Sequence, residues 1–178
     1  MSESGIWLRE SKVLNTWFDG ATLEKFSVSR RTPHPFEFCF NSKYPAGTEF
    51  QRVHLFCDNW TFCENKTVTK PVLWSACKDE NVICTLLISY CELSVSEVRL
   101  MPDGALQLDF ANQSTLFIPG QVQDRVFEEE AAWVVNIQPD VPDPVNTYSE
   151  RILCCDGVLD GVWNPAIFKR SGTTESAG

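Results

Sequence analysis

The side chains that do chemistry in proteins are abundant in this sequence, but they lack the spacings that catalytic and metal sites require. The 178 residues include eight cysteines, two histidines and 24 acidic residues. No C-x-x-C pair occurs, and five residues separate Cys57 from Cys63, which is a poor match to the paired ligands of structural zinc sites. Phosphate-binding glycine motifs and the G-x-S-x-G nucleophile motif are also absent from the sequence. We therefore expect no catalytic residues, no bound metal and no cofactor.

The histidines and the adjacent cysteines fit structural roles better than catalytic ones. His34 lies between two prolines, and His54 lies in the alternating run "FQRVHLFC" with no carboxylate near it in sequence to orient its ring. Cys154 and Cys155 are neighbours, so in a strand their thiols would point to opposite faces and could not form a redox pair. This pattern indicates a protein that is not an enzyme.

The sequence favours a cytoplasmic location. Its first residues, "MSESGIWLRE", have neither the basic nor the apolar region of a secretion signal. The longest apolar run, at residues 82–91, is about half of the roughly 20 residues that a membrane-spanning helix needs. We therefore expect a protein without membrane contact, whose cysteines are reduced and mostly buried.

The negative charge is concentrated in one part of the chain. The formal net charge is −9, and residues 124–160 alone carry nine acidic and two basic side chains. A solvated acidic surface is one interpretation, and a surface that attracts a basic partner is the other. Direct binding to nucleic acid is disfavoured because the sequence contains no basic stripe for phosphate contacts.

Alternating patterns predict a chain that is mainly β. The run "FEFCF" has the period of two that a half-buried strand requires. Asp103-Gly104 is a favoured pair for a tight hairpin between "SEVRL" and "ALQLDF", with Leu106, Leu108 and Phe110 on the buried face and Asp109 on the other. The run "TLFI" would then return as a third antiparallel strand.

The remaining segments complete the predicted architecture. The first apolar segment could be a short helix or a strand edge, and residues 72–91 are ambiguous between helix and strand. The run "ERILCCDGVLDGVW" indicates a last hairpin. We expect one α+β domain over residues 1–168, mainly β, built of antiparallel meanders with one or two short helices. Residues 169–178 are expected to form a flexible tail.

One segment resembles a bacterial family of small β-rich domains of uncharacterised function. Members of that family carry a D-G-x-L-x-L-x-F strand, an Asn/Asp-Gly-Ser turn, a returning strand ending in Pro and an E-A-W element. The resemblance covers about 30 residues and departs at Gln113, where the family prefers Gly, and at the extra Ala132. The matching residues are Asp103, Gly104, Leu106, Leu108, Phe110, Asn112, Ser114, Leu116, Ile118, Pro119, Glu130, Ala131 and Trp133.

In size and acidity the chain also resembles immunity proteins of bacterial toxin–immunity systems, of the contact-dependent growth inhibition type. That resemblance implies a cytosolic protein that neutralises a cognate toxin, a basic nuclease, by direct contact through an acidic surface. A regulatory or accessory interaction domain unrelated to toxins is the alternative. The expected partner-binding residues are Glu128, Glu129, Glu130, Asp140, Asp143, Asp156 and Asp160.

Overall fold

The computed structural model describes residues 7–28, 34–43, 51–63, 87–122, 131–138 and 150–163. Within these residues, helix α1 spans Leu8–Phe18, and residues 87–90 form a further helical turn. The strands of the described residues are β1 (Thr22–Val28), β2 (Phe36–Ser42), β3 (Gln51–Cys57), β4 (Thr61–Cys63), β5 (Val95–Leu100), β6 (Leu106–Phe110), β7 (Thr115–Ile118), β8 (Trp133–Gln138), β9 (Glu150–Cys155) and β10 (Val158–Val162).

These strands form two antiparallel sheets. The large sheet has the order β1-β2-β3-β8-β9-β10, and the small sheet has the order β4-β7-β6-β5. The run "EFQRVHLFCDNWTFC" contains β3 of the large sheet and β4 of the small one. The predicted α+β, mainly β class with antiparallel meanders is confirmed. Most of the ambiguous segment 72–91 and the whole predicted tail 169–178 lie outside the described residues, as does the charged segment 123–130.

One hydrophobic core contains side chains from both sheets and from α1. Trp60, in the short link between β3 and β4, makes edge-on ring contacts with Phe36 and Phe38 of the large sheet and with Phe62 of the small sheet. Phe62 in turn stacks on Tyr90 at a centroid distance of 4.0 Å. Edge-on and offset aromatic contacts of this kind add to the stabilisation that burial alone provides. The Trp60 ring therefore couples the packing of the two sheets.

Helix α1 covers one side of the small sheet. Its buried residues Val13, Leu14, Trp17 and Phe18 recur at the spacing of a single helical stripe. On the same side, the Asn15 amide pairs with the backbone of Val98 in β5. Asn15 Nδ2 donates to the Val98 carbonyl at 2.7 Å, and the Val98 N–H donates to Asn15 Oδ1 at 3.0 Å. A helix side chain thus takes the place of a neighbouring strand at this edge.

The two sheets meet where three glycine backbones are in contact, at Gly104, Gly120 and Gly157. A Cβ on Gly104 would lie 2.7 Å from Gly157 Cα, and one on Gly120 would lie 2.3 Å from the Asp103 carbonyl oxygen. The Gly157 N–H donates to the Gly120 carbonyl at 2.9 Å, and buried Trp133 Nε1 donates to the Gly104 carbonyl at 2.9 Å. This glycine junction packs the predicted Asp103-Gly104 turn against the turn between β9 and β10.

Strand β6, one of the two inner strands of the small sheet, is buried on both faces. Leu106, Leu108 and Phe110 face the core as predicted, but Asp109 on the opposite face is fully buried as well. Its carboxylate accepts hydrogen bonds from Thr115 Oγ1 at 2.6 Å and from Gln107 Nε2 at 3.0 Å, and it pairs with Arg99. Burial alone would raise the pKa of Asp109, but these hydrogen bonds and the guanidinium hold it below its ordinary value. The charge is tolerated because the carboxylate is paired with Arg99 and Thr115 from the two adjacent strands and with Gln107 from its own strand.

The glycine junction predicts a specific difference between two alanine substitutions. Gly104 and Gly20 both have positive φ, 78° and 61°, but a Cβ on Gly20 would have nothing within 4 Å. Gly20→Ala should therefore cost only the conformational strain of about 1–2 kcal/mol. Gly104→Ala should cost that strain and a further 1–3 kcal/mol or so from overpacking against Gly157 and Cys154. Urea denaturation measures both, and equal losses would contradict the close approach of the turns.

Candidate binding surface

The large sheet has one face packed on the core and an outer face that is partly open. Along β2, β3 and β8 the inner positions are almost fully buried, as at Phe38, Leu55 and Val135. Residues directly opposite each other on neighbouring antiparallel strands point to the same face of the sheet. The strand registers therefore show which residues share the outer face. Its members on β2, β3, β8, β9 and β10 include Glu37, Cys39, Arg52, His54, Phe56, Val134, Asn136, Arg151, Leu153, Val158, Asp160 and Val162.

One row across this outer face is apolar at its centre and acidic at both ends. In register it runs from Glu37 through Phe56, Val134 and Leu153 to Asp160. The three central side chains are partly exposed, and Asp160 is exposed. An apolar centre with a polar rim is the arrangement found in protein–protein interfaces. We call these five residues the acidic-ended row.

The β9–β10 hairpin carries both of the predicted binding residues that the structure describes. Asp156 and Gly157 have positive φ values of 49° and 78°, as a two-residue turn between twisted strands requires. Asp156 is exposed at the tip, and Asp160 is exposed on the outer face. Asp160 Oδ1 accepts the N–H of Gly161 at 2.8 Å, which fixes the orientation of its carboxylate. The other five predicted residues, Glu128, Glu129, Glu130, Asp140 and Asp143, lie outside the described residues.

Sequence reasoning missed the other members of the acidic-ended row. The alternation of "FEFCF" and of "QRVHLF" places Glu37 and Phe56 opposite the core on their own strands. No signal in the sequence shows that β8 and β9 follow β3 in the sheet. The row is therefore visible only once strands distant in sequence are paired.

A second row on the outer face contains a buried histidine. His54 Nδ1 lies 2.6 Å from Glu37 Oε1, and Ser27 Oγ donates to Glu37 Oε2 at 2.9 Å. Burial alone would raise the pKa of Glu37, but the hydrogen bonds from His54 and Ser27 hold it below its ordinary value. The carboxylate is thus ionised at neutral pH, and the His54 Nδ1–H donates to it. The orienting carboxylate that was absent near His54 in sequence comes from the neighbouring strand.

Cys39 lies directly opposite His54, so the outer face contains the three residue types of a cysteine–histidine–carboxylate nucleophile. The geometry does not activate the thiol. His54 Nε2 is buried without a hydrogen-bond partner in the described part of the chain, so it makes no contact that could take the thiol proton. Cys39 Sγ instead lies 4.0 Å from Glu24 Oε2, and burial together with this carboxylate raises the pKa of Cys39 to about 11. The thiol is protonated at neutral pH and is therefore a poor nucleophile.

The cysteines that the structure describes are free thiols in structural positions. Cys39, Cys57 and Cys154 are buried, and burial raises the pKa of each. Cys154 faces the core while Cys155 is partly exposed, as their adjacency in a strand predicted. Among the described residues, no three His, Cys, Asp or Glu side chains lie close enough together to hold a metal ion. In the same part of the chain, no helix has the length and hydrophobicity needed to cross a membrane.

Comparison with known protein families, with curated proteins and with solved structures finds no match to this chain. The resemblances to the β-rich domain family and to immunity proteins stay predictions.

The Glu37–His54 pair predicts a pH-dependent contribution to stability. Glu37→Gln keeps an acceptor but removes the charge, so it should cost about 1 kcal/mol at neutral pH. Because the pKa of Glu37 is lowered in the folded protein, this contribution is complete above the carboxyl's unfolded pKa and is lost as pH falls through its folded pKa. The difference between the two proteins should therefore vanish in acid.

Urea denaturation across pH 3–7 measures this difference. Glu97→Gln is the matched control, because Glu97 is exposed on β5 and lies 4.0 Å from Arg99 Nε. It should change stability by less than about 0.5 kcal/mol at every pH. A Glu37→Gln loss that does not diminish in acid would contradict the hydrogen bond between His54 and an ionised Glu37.

Proposed function

We propose that this chain is a cytoplasmic binding protein that neutralises a cognate bacterial toxin, a basic nuclease, by direct contact through an acidic surface. Binding alone blocks the toxin, and this chain catalyses no reaction of its own. The observation that carries the proposal is the β9–β10 hairpin, where exposed Asp156 and Asp160 lie beside the exposed valines Val158 and Val162.

The distribution of charge supports a basic partner. Residues 124–160 hold nine of the 24 acidic side chains against two basic ones. Opposite potentials speed the encounter of two proteins and help to exclude wrong partners. A nuclease fits this charge because its nucleic-acid-binding site needs lysine and arginine side chains to contact phosphate groups. An acidic protein surface would compete for the same positive groups.

The chemistry of the outer face supports binding over catalysis. The Cys39 thiol is held protonated by its surroundings, and the Glu37 carboxylate is engaged by His54 and Ser27. In the small sheet, the Asp109 carboxylate is fully buried among Thr115, Gln107 and Arg99. Asp156 and Asp160 are exposed where a partner can reach them.

The test uses the purified candidate toxin encoded beside this gene. Binding is measured over a salt series for the native protein and for Asp156→Asn/Asp160→Asn. Neutralising both acids should slow association by about threefold to tenfold at low salt, and the difference should shrink as salt rises. Glu97→Gln, an exposed acid on the small sheet, should leave the rate unchanged.

A growth assay completes the test, since the protein should protect cells that express the toxin. Absence of binding together with absence of protection would overturn the immunity proposal. Tight binding that ignores salt and both substitutions would remove the hairpin from the contact.

A further inference from the structure

The outer face of the large sheet contains two buried polar atoms that lack hydrogen-bond partners and belong to neighbouring strands. His54 of β3 and Asn136 of β8 are directly opposite in register, and only 9% and 7% of their surfaces are exposed. His54 Nε2 and Asn136 Oδ1 are each buried without a hydrogen-bond partner in the described part of the chain. Directly opposite residues on antiparallel strands have Cβ atoms about 5 Å apart, so these two polar ends are within reach of each other.

The Glu37–His54 contact determines which nitrogen of a neutral ring carries the proton. Burial alone would raise the pKa of Glu37, but hydrogen bonds from His54 and Ser27 hold it below its ordinary value. The ionised carboxylate therefore accepts the His54 Nδ1–H, at a distance of 2.6 Å. A neutral imidazole has a single N–H, so Nε2 of the neutral ring is an unpaired acceptor. The Asn136 oxygen is an acceptor as well, and burying acceptors without a donor costs free energy.

A second proton on the His54 ring would satisfy both atoms. We propose that His54 is a pH switch between β3 and β8: in the protonated ring Nε2–H donates to Asn136 Oδ1, and in the neutral ring this link is broken. The closed state joins side chains of four strands, from Ser27 through Glu37 and His54 to Asn136. Histidine is the side chain that ordinarily changes charge between about pH 5 and 8, so mild acid closes the link.

The charged groups that surround His54 are of both signs. Glu37 alone among the described residues forms a hydrogen bond to the ring. The Cys39 thiol opposite His54 stays neutral, because burial and the Glu24 carboxylate raise its pKa to about 11. Strand β8 contributes no titratable side chain to this face. The titratable and charged groups facing His54 are Glu24 and Lys25 of β1, Glu37 and Cys39 of β2, Arg52 of β3, and Arg151 of β9, which lies opposite Asn136.

Protonation of His54 also changes the electrostatic potential of the outer face. The basic and acidic side chains that the described strands place on this face are equal in number, so they offset each other while His54 is neutral. The imidazolium adds one positive charge at the centre of the face, and any partner that meets this surface encounters a different potential in mild acid. The switch therefore does not depend on the proposed function. The six charged residues are Lys25, Arg52, Arg151, Glu24, Glu37 and Asp160.

Nitrogen-15 spectra of the imidazole rings test the switch in the native full chain. Protonated and unprotonated ring nitrogens resonate far apart, and the chain has only two histidines, so a His34→Gln variant identifies the His54 signals. Between about pH 8 and pH 5, Nδ1 should stay protonated while Nε2 changes from a lone pair to an N–H. The side-chain amide signals of Asn136 should shift with the same midpoint.

Two substitutions of Asn136 should move this transition in opposite directions. Asn136→Leu removes the acceptor, so half-protonation of His54 should require a proton concentration about tenfold higher. Asn136→Asp places a second carboxylate beside Nε2, so half-protonation should occur at a concentration at least about tenfold lower. Asn41→Leu is the matched control, because Asn41 lies on the same face but opposite Arg52. It should change this concentration by less than about twofold.

Three results would overturn the switch. The first is a transition that is the same in the native protein and in both Asn136 variants. The second is a hydrogen bond from Asn136 Nδ2 to His54 Nε2 at neutral pH, since it would satisfy the ring without a proton. The third is a long-lived water in contact with both side chains. Urea denaturation at neutral pH shows whether each variant folds, and if Asn136→Leu does not, the native spectra and Asn136→Asp decide between the outcomes.

Discussion

The contact among three glycine backbones sets the relation between the two sheets. At Gly104, Gly120 and Gly157 the main chains approach so closely that a single Cβ would overlap a neighbouring backbone. Trp133, from the centre of the large sheet, donates to the Gly104 carbonyl and so ties that sheet to the β5–β6 turn. The β9–β10 hairpin, which presents Asp156 and Asp160, begins at this junction. The geometry of the acidic hairpin therefore depends on backbone packing that contains no charged group.

Local features of the fold could be read from the sequence, because each depends on a few neighbouring residues. The Asp103-Gly104 hairpin and the alternation of β2 are of this kind. The second Asp-Gly pair of the last hairpin shows the limit of local rules. Gly161 lies within β10 and not in a turn. At that position the Arg151 carbonyl and the Trp163 ring leave no room for a side chain.

Relations between distant segments could not be read in this way. β3 and β4 belong to different sheets, with Trp60 packed against rings of both, and the meeting of His54 with Glu37 follows from the pairing of β2 with β3. Asp109 was assigned to the face opposite Leu108, yet alternation says nothing about whether that face is covered. Charge counting likewise located an acidic stretch of chain. It could not identify Phe56 and Val134 as members of the same row as Asp160, because these residues come from strands far from β10 in sequence.

The pairing of Asn15 with Val98 has a consequence for how the chain is made. The segment of α1 leaves the ribosome well before β5. Some 80 residues are therefore synthesised between Asn15 and Val98, the β5 residue whose backbone the Asn15 amide contacts. Once β5 is made, its open edge could pair with strands of other nascent chains, which is the usual route to aggregation. The segment that forms α1 is already synthesised at that moment, in the same molecule and therefore at a high effective concentration. The order of segments along the chain thus makes α1 available to cover this edge as soon as β5 is made.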